Sequence, residues 1–143
     1  MNIKQIILII ILFCTGCSAT KLTYQPQEYN DISKSIDIIK SSLNYQSSLH
    51  AVISIEIKPD FLKIISRPNY EHSYIHFEYI GYIDFHEKNE WKIVTIRGQN
   101  RRILYRLYVK DKEIAKSFIN AIYTLKNNPK ALEIELNKAC QHN

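Results

Sequence analysis

The hydrophobic positions of this 143-residue chain fall into four successive patterns. The first is an unbroken apolar run from Ile6 to Phe13, with a lone Lys4 before it and Cys14-Thr15-Gly16-Cys17 after it. The run is far shorter than the ~20 apolar residues a membrane-spanning helix needs. A short basic start, an apolar stretch and small residues, in that order, make a cleaved secretory signal. A polar lead from Ser18 to Gln27 follows, interrupted by Pro26; fully extended it would reach only ~35 Å. In the second pattern, Asn30 to Tyr45, the residues Ile32, Ile36, Ile39 and Leu43 recur at spacings of four, three and four. That predicts an amphipathic helix capped by Asn30 or Asp31. The same spacing suits a helix lying on a bilayer, but Asp31, Asp37 and the few bulky aromatics favour packing on the domain.

The period then drops to two. Leu49, Ala51, Ile53, Ile55 and Ile57 fall on one face, with His50, Ser54 and Glu56 on the other, as a half-buried strand requires. Lys58-Pro59-Asp60 makes a turn. Further strands are predicted at Phe61 to Ser66, Ser73 to Tyr79, Ile80 to His86, Trp91 to Arg97 and Ile103 to Val109, each rich in β-branched or aromatic residues. Glu87-Lys88-Asn89-Glu90 and Gly98-Gln99-Asn100 are hairpin-length connections, so the strands read as an antiparallel meander. After Val109 the helical period returns, with Asp111 as cap and Ile114, Phe118, Ala121, Ile122 and Leu125 as the buried stripe. Pro129 can open a shorter, peripheral helix carrying Ala131, Leu132, Leu136 and Ala139. There is no internal repeat.

Cys14-Thr15-Gly16-Cys17 resembles the lipobox of bacterial lipoproteins, with Cys17 at the position that is modified. Small side chains fit the narrow cleft of a peptidase, and a thiol is nucleophilic enough to take a diacylglyceryl group. The resemblance implies removal of residues 1–16, lipid on Cys17, a lead at 17–29 and one domain at 30–143. Ser18 then looks like the signal for transfer to the outer membrane in a two-membrane cell; a one-membrane host would keep the protein on its outer face. An ordinary signal cut near Cys17 or Ala19, or an uncleaved anchor, are the other readings of the same segment.

Six strands closed by an amphipathic helix form a small α+β barrel or sandwich, and Ser48 to about Lys126 resembles bacterial pleckstrin-homology-like domains. The resemblance rests on Tyr79-Ile-Gly-Tyr-Ile-Asp-Phe85, on Lys92-Ile-Val-Thr-Ile96, and on Asp111, Ala115, Phe118, Ala121, Ile122 and Leu125 in the closing helix. Members of that family have seven strands, so a seventh is expected from a split of the second or third strand around Arg67-Pro68-Asn69. The resemblance implies binding of lipids, peptides or partner proteins without enzymatic chemistry. Lys58 and Lys63, separated by Pro59 and Asp60, do not form the basic loop that phosphoinositide-binding members use.

Composition narrows the class further. The signal removes Lys4 and no acidic residue, so a net charge of +5 falls by one in the mature chain. That mildly basic balance suits anionic headgroups or acidic polymers and lacks the dense clusters of nucleic-acid binders. Of three cysteines, Cys14 leaves with the signal and Cys17 takes lipid, which leaves Cys140 without a partner in its own chain. It is available to pair with another molecule, or is a half-buried structural thiol.

The densest charge lies at Arg97, Arg101, Arg102, Arg106, Lys110, Lys112 and Lys116. It is either a face toward anionic lipid or a solvated strand edge and helix surface; Arg102 and Arg106 can share a strand face that Arg101 cannot. Ten tyrosines and one tryptophan exceed what a core of this size needs, and Tyr74, Tyr82, Trp91 and Tyr105 are the candidate partner contacts. His72, His76 and His86 could form a zinc site only in one strand register, and no His-Glu-x-x-His or paired-cysteine motif supports it. No Gly-x-Ser-x-Gly elbow or phosphate loop occurs. The sequence thus predicts a lipid-anchored envelope protein with a binding or assembly role, an envelope protein as partner, and no cofactor, metal, nucleic acid or small-molecule substrate. A small envelope hydrolase or metal-dependent enzyme, and a secreted inhibitor or effector, are the alternatives.

Overall fold

A computed structural model describes residues 18–141; the predicted signal, residues 1–16, and the predicted acceptor Cys17 lie outside the described residues. In chain order the elements are β1 (Thr20–Lys21), α1 (Ile32–Asn44), β2 (Val52–Ile57), β3 (Phe61–Ser66), β4 (Glu71–His76), β5 (Ile80–Lys88), β6 (Trp91–Gly98), β7 (Ile103–Val109), α2 (Lys112–Asn127) and α3 (Pro129–Gln141). Single 3₁₀ turns occupy Ser48–His50 and Phe77–Tyr79. The strands make two antiparallel sheets, of order β1-β5-β6-β7 and β2-β3-β4.

The predicted α+β class holds, but the two sheets do not close into a barrel. β4 and β7, at the facing edges, approach one another without forming a ladder. The reason lies in the chain just after α1. The Tyr108 N–H donates to Gln46 Oε1 at 2.6 Å, Gln46 Nε2 donates to the Arg106 carbonyl at 2.9 Å, and the Ser47 N–H donates to the Tyr108 carbonyl at 3.1 Å. The side-chain amide of Gln46 thus stands where a strand would stand and satisfies this part of the β7 edge.

Both predicted helix starts are present. Asp31 accepts from the Lys34 N–H at 3.0 Å, and Asp111 accepts from the N–H groups of Glu113 and Ile114 at 2.7 and 3.2 Å. Of the α1 stripe, Ile36, Ile39 and Leu43 are buried and Ile32 is half-buried. Along α2, Ala115, Phe118, Ile119, Ala121, Ile122 and Leu125 are buried and Ile114 is half-buried. These two stripes pack together, and α2 also lies against β6 and β7. Strands contribute Leu62, Ile64, Ile75, Phe85, Val94, Ile96, Leu107 and Val109 to the same core. The α3 helix buries Leu132 alone, in keeping with its predicted peripheral place.

Three local expectations are corrected. The strand predicted from Leu49 begins only at Val52, and a pairing irregularity between Val52 and Ser54 shifts the register. Such a bulge breaks strict alternation and leaves Ile53 45% exposed, while Leu49, in the 3₁₀ turn before the strand, is 75% exposed. The strand predicted at Ser73 to Tyr79 is shorter at its end, because Phe77–Tyr79 turns. The seventh strand is not a fragment near Arg67-Pro68-Asn69, which forms part of the β3–β4 connection; it is β1, in the lead.

Candidate functional site

The short polar lead, which the sequence pattern sets apart from the domain, pairs with and packs on it. Thr20 and Lys21 pair with Glu87 and His86 on the outer edge of β5, and the Leu22 N–H donates to the Phe85 carbonyl at 2.7 Å. The chain then crosses α2. Asn120 Oδ1 accepts from both the Tyr24 hydroxyl and the Gln27 N–H, each at 2.9 Å, and Thr124 Oγ1 accepts from the Tyr29 N–H at 2.8 Å. Farther along, the Glu28 carboxylate receives the side-chain amides of Asn127 and Asn128 at 2.6 and 3.2 Å. Asn120 and Thr124 are polar residues on the buried side of an otherwise apolar helix, and the lead is what they hold. Tyr24 also meets Phe85 edge-on at 6.3 Å.

Because β1 covers only two residues, no strand pairs with the Ile80 to Asp84 stretch of β5 on that side among the described residues. Between this stretch, the lead and α2 lies a cavity of about 500 Å³. Tyr24, Tyr82 and Tyr123 line it, Ile80, Ile83 and Ile119 give it apolar walls, and Lys21 and Lys126 contribute positive charge. Within the same wall the Asp84 carboxylate is held by Arg97 Nε at 2.6 Å. Gly81 is required here for space: a Cβ at this position would sit 2.8 Å from Gln99 Cα, where the β6–β7 turn folds back and the Gln99 N–H donates to the Tyr79 carbonyl.

A second feature is the end of the domain at which the lead enters. Because β1 runs antiparallel to β5, the chain before Thr20 points toward the β5–β6 turn. Asn89 makes that turn at φ 56°, a left-handed conformation that asparagine tolerates. Beside it stand Trp91, with the Lys110 ammonium 5.4 Å from its ring centre, and the Lys110–Glu90 ion pair at 3.0 Å. Lys92 Nζ donates to Glu87 at 2.6 Å; this bond and nearby Lys112 hold the Glu87 carboxyl below the ordinary range. Tyr45, at the end of α1, joins Trp91, Val109, Lys110 and Ile114 around a hollow of about 380 Å³.

The predicted basic cluster is therefore divided. Arg97, Arg101 and Arg102 lie at the β6–β7 turn, where Arg97 is paired with Asp84 and donates to the Arg101 carbonyl at 3.2 Å. Lys110 and Lys112 lie at the other end of β7, seven residues long, or roughly 20 Å away at strand rise. Arg106 stands exposed between them on β7. Of the candidate aromatics, Tyr82 is in the groove and Trp91 at the end where the lead enters, while Tyr74, 47% exposed, sits on the other sheet beside Phe61 and Lys63. Tyr105 is not at the surface. Its ring faces inward with Leu107 and Val109, only 7% exposed, its hydroxyl accepts from Gln46 at 3.1 Å, and burial pushes its pKa up to about 12.

His72 and His76 share β4, whereas His86 is on the other sheet opposite Lys21 and Ile93. No group of three or more His, Cys, Asp or Glu side chains among the described residues is disposed to hold a metal. Cys140 is exposed and free, so the half-buried reading of that thiol is replaced by an accessible one. None of the described helices is long and apolar enough to cross a membrane.

Sequence reasoning missed the strap and the groove it borders. The one available signal was the pair Asn120 and Thr124 inside a stripe otherwise made of Ala115, Phe118, Ala121, Ile122 and Leu125. Fold and site together define an α+β domain of two antiparallel sheets and three helices, with its own N-terminal segment strapped across an open sheet edge. No protein-family model matches the chain, and no curated protein or solved structure matches it significantly.

Proposed function

We propose that the protein is a lipid-anchored component of the cell envelope, held by a diacylglyceryl group on Cys17, with a non-catalytic binding or assembly role at the membrane surface. In a two-membrane host it faces the periplasm from the outer membrane. The observation that carries the binding role is the cavity of about 500 Å³ beside the uncovered stretch of β5. Its volume lies within the ~300–1,000 Å³ of ligand-sized clefts. Tyrosines at its walls offer broad contact area with few torsions to freeze, and an open strand edge can take an extended segment of a partner by backbone pairing. An envelope protein presenting such a segment is the partner this groove fits. Two antiparallel sheets followed by a helix are compatible with a pleckstrin-homology-like sandwich, the finer fold we favour.

A photo-crosslinking amino acid at Tyr82, which is 51% exposed, tests this in membranes of the expressing cell. The expected result is a discrete crosslinked species that is absent when the probe is placed at Ile134, an exposed residue of α3. Equal, diffuse labelling at both positions would remove the groove from the account.

A further inference from the structure

The docked lead shortens the tether. With Thr20 already in a ladder, only three residue steps separate Cys17 from the fold, a reach of at most ~10 Å. The ladder's direction then decides which end of the domain lies nearest the anchor: the chain before Thr20 runs alongside Glu87 toward the β5–β6 turn. That end carries Trp91 and Tyr45, the latter 62% exposed, together with Lys88, Lys110 and Lys112. Aromatic rings with polar edges and flexible ammonium groups are the side chains that settle at the water–lipid boundary. Charge is nearly balanced there, because Glu87 and Glu90 are paired with Lys92 and Lys110, so the short tether and the aromatics, more than net charge, fix the contact.

We propose that the end of the domain formed by the β5–β6 turn, the β7–α2 turn and the C-terminal end of α1 rests on the lipid bilayer, with Trp91 at the headgroup level. The inference rests on the anchoring of Cys17. It has a direct consequence for the arginines. Arg101 and Arg102, roughly 20 Å farther along the strands, point away from the membrane and are open to a partner, while Arg97 is held by Asp84. The groove opens on the flank between the two ends, bounded by β5 and α2.

Trp91 is the only tryptophan of the chain, so emission reports this site alone. The mature protein, purified from membranes of the expressing cell, is reconstituted into phosphatidylethanolamine–phosphatidylglycerol vesicles with and without brominated acyl chains. We expect at least twofold quenching by the brominated lipid and reduced quenching by acrylamide. A second variant, Trp91→Phe with Tyr82→Trp, moves the reporter to a residue paired with Arg97; its emission should be indifferent to bromine. Protein that floats with the vesicles while Trp91 ignores bromine and remains open to acrylamide overturns the orientation and leaves the anchor intact. Equal quenching at both reporter positions overturns it as well, since no single end then faces the lipid. Protein that fails to float removes the anchor, and the orientation falls with it.

Discussion

Single polar side chains decide how several segments of this protein are held. Asn120 Oδ1 receives two donors from the lead, Tyr24 Oη and Gln27 N. With each hydrogen bond contributing about 0.5–1.5 kcal/mol net, Asn120→Ala should cost about 1–3 kcal/mol in denaturant unfolding. It should also open the lead to protease near Tyr24 before the rest of the domain is cut. Gly81 has no room for a methyl group against the Gln99 backbone, so Gly81→Ala should cost about 1–3 kcal/mol through forced displacement of the β6–β7 turn. Thermal unfolding beside an exposed control, Ser33→Ala, checks this. Tyr105 gives a pH dependence. Its ordinary pKa of 10.0 is pushed up to about 12 by burial, so the folded state holds the proton more tightly than the unfolded chain. That contribution is complete below pH 10 and is lost as the pH rises toward 12, a span equivalent to about 2–3 kcal/mol. Urea unfolding between pH 9 and pH 11.5 should therefore show a steeper loss for the native protein than for Tyr105→Phe. Parallel curves would contradict the assignment.

At the scale of elements, α3 is the most weakly held. Leu132 is its one buried residue, and Leu132→Ala, at about 2–5 kcal/mol for a leucine truncation, should release α3 while α1, α2 and the sheets stay folded. Hydrogen exchange would then show amides of residues 130–141 losing protection alone; loss of protection throughout would mean that α3 is part of the cooperative core. Helices α1 and α2 were legible in the sequence because apolar spacing, an aspartate cap and burial all pointed the same way at Asp31 and Asp111. Strands β3, β5, β6 and β7 were legible from their β-branched and aromatic runs. The start of β2 was not, because Leu49 and Ile53 keep the alternation of a buried face while a 3₁₀ turn and a bulge leave both exposed. Nor was β1 visible: Thr20 and Lys21 are too few to carry a period, and their pairing is decided by an edge of β5 some 65 residues away. Barrel closure turned on Gln46, a residue whose side chain acts as a piece of backbone, which no hydrophobic pattern encodes.

Taken as a whole molecule, the protein combines a strapped N-terminal lead, an aromatic groove beside an open strand edge, and two ends of different character. One end gathers Trp91, Tyr45 and paired lysines near the entry of the lead; the other displays Arg101 and Arg102. In the proposed function these become a membrane face, a partner groove and an outward basic tip, all referred to the same anchor. Charge-reversing variants separate the two ends: Arg101→Glu with Arg102→Glu should leave vesicle attachment of the acylated protein unchanged within twofold in flotation, because the tether and not this tip holds the lipid. The groove, the strap and the two ends are all geometric facts of the fold, but their joint meaning depends on what Cys17 carries. The most direct test is the intact mass of the protein purified from membranes of the expressing cell, beside Cys17→Ala. The account requires a chain that begins at Cys17 and carries a diacylglyceryl increment, with both features absent from the variant. An unmodified mature chain recovered away from the membrane would contradict it.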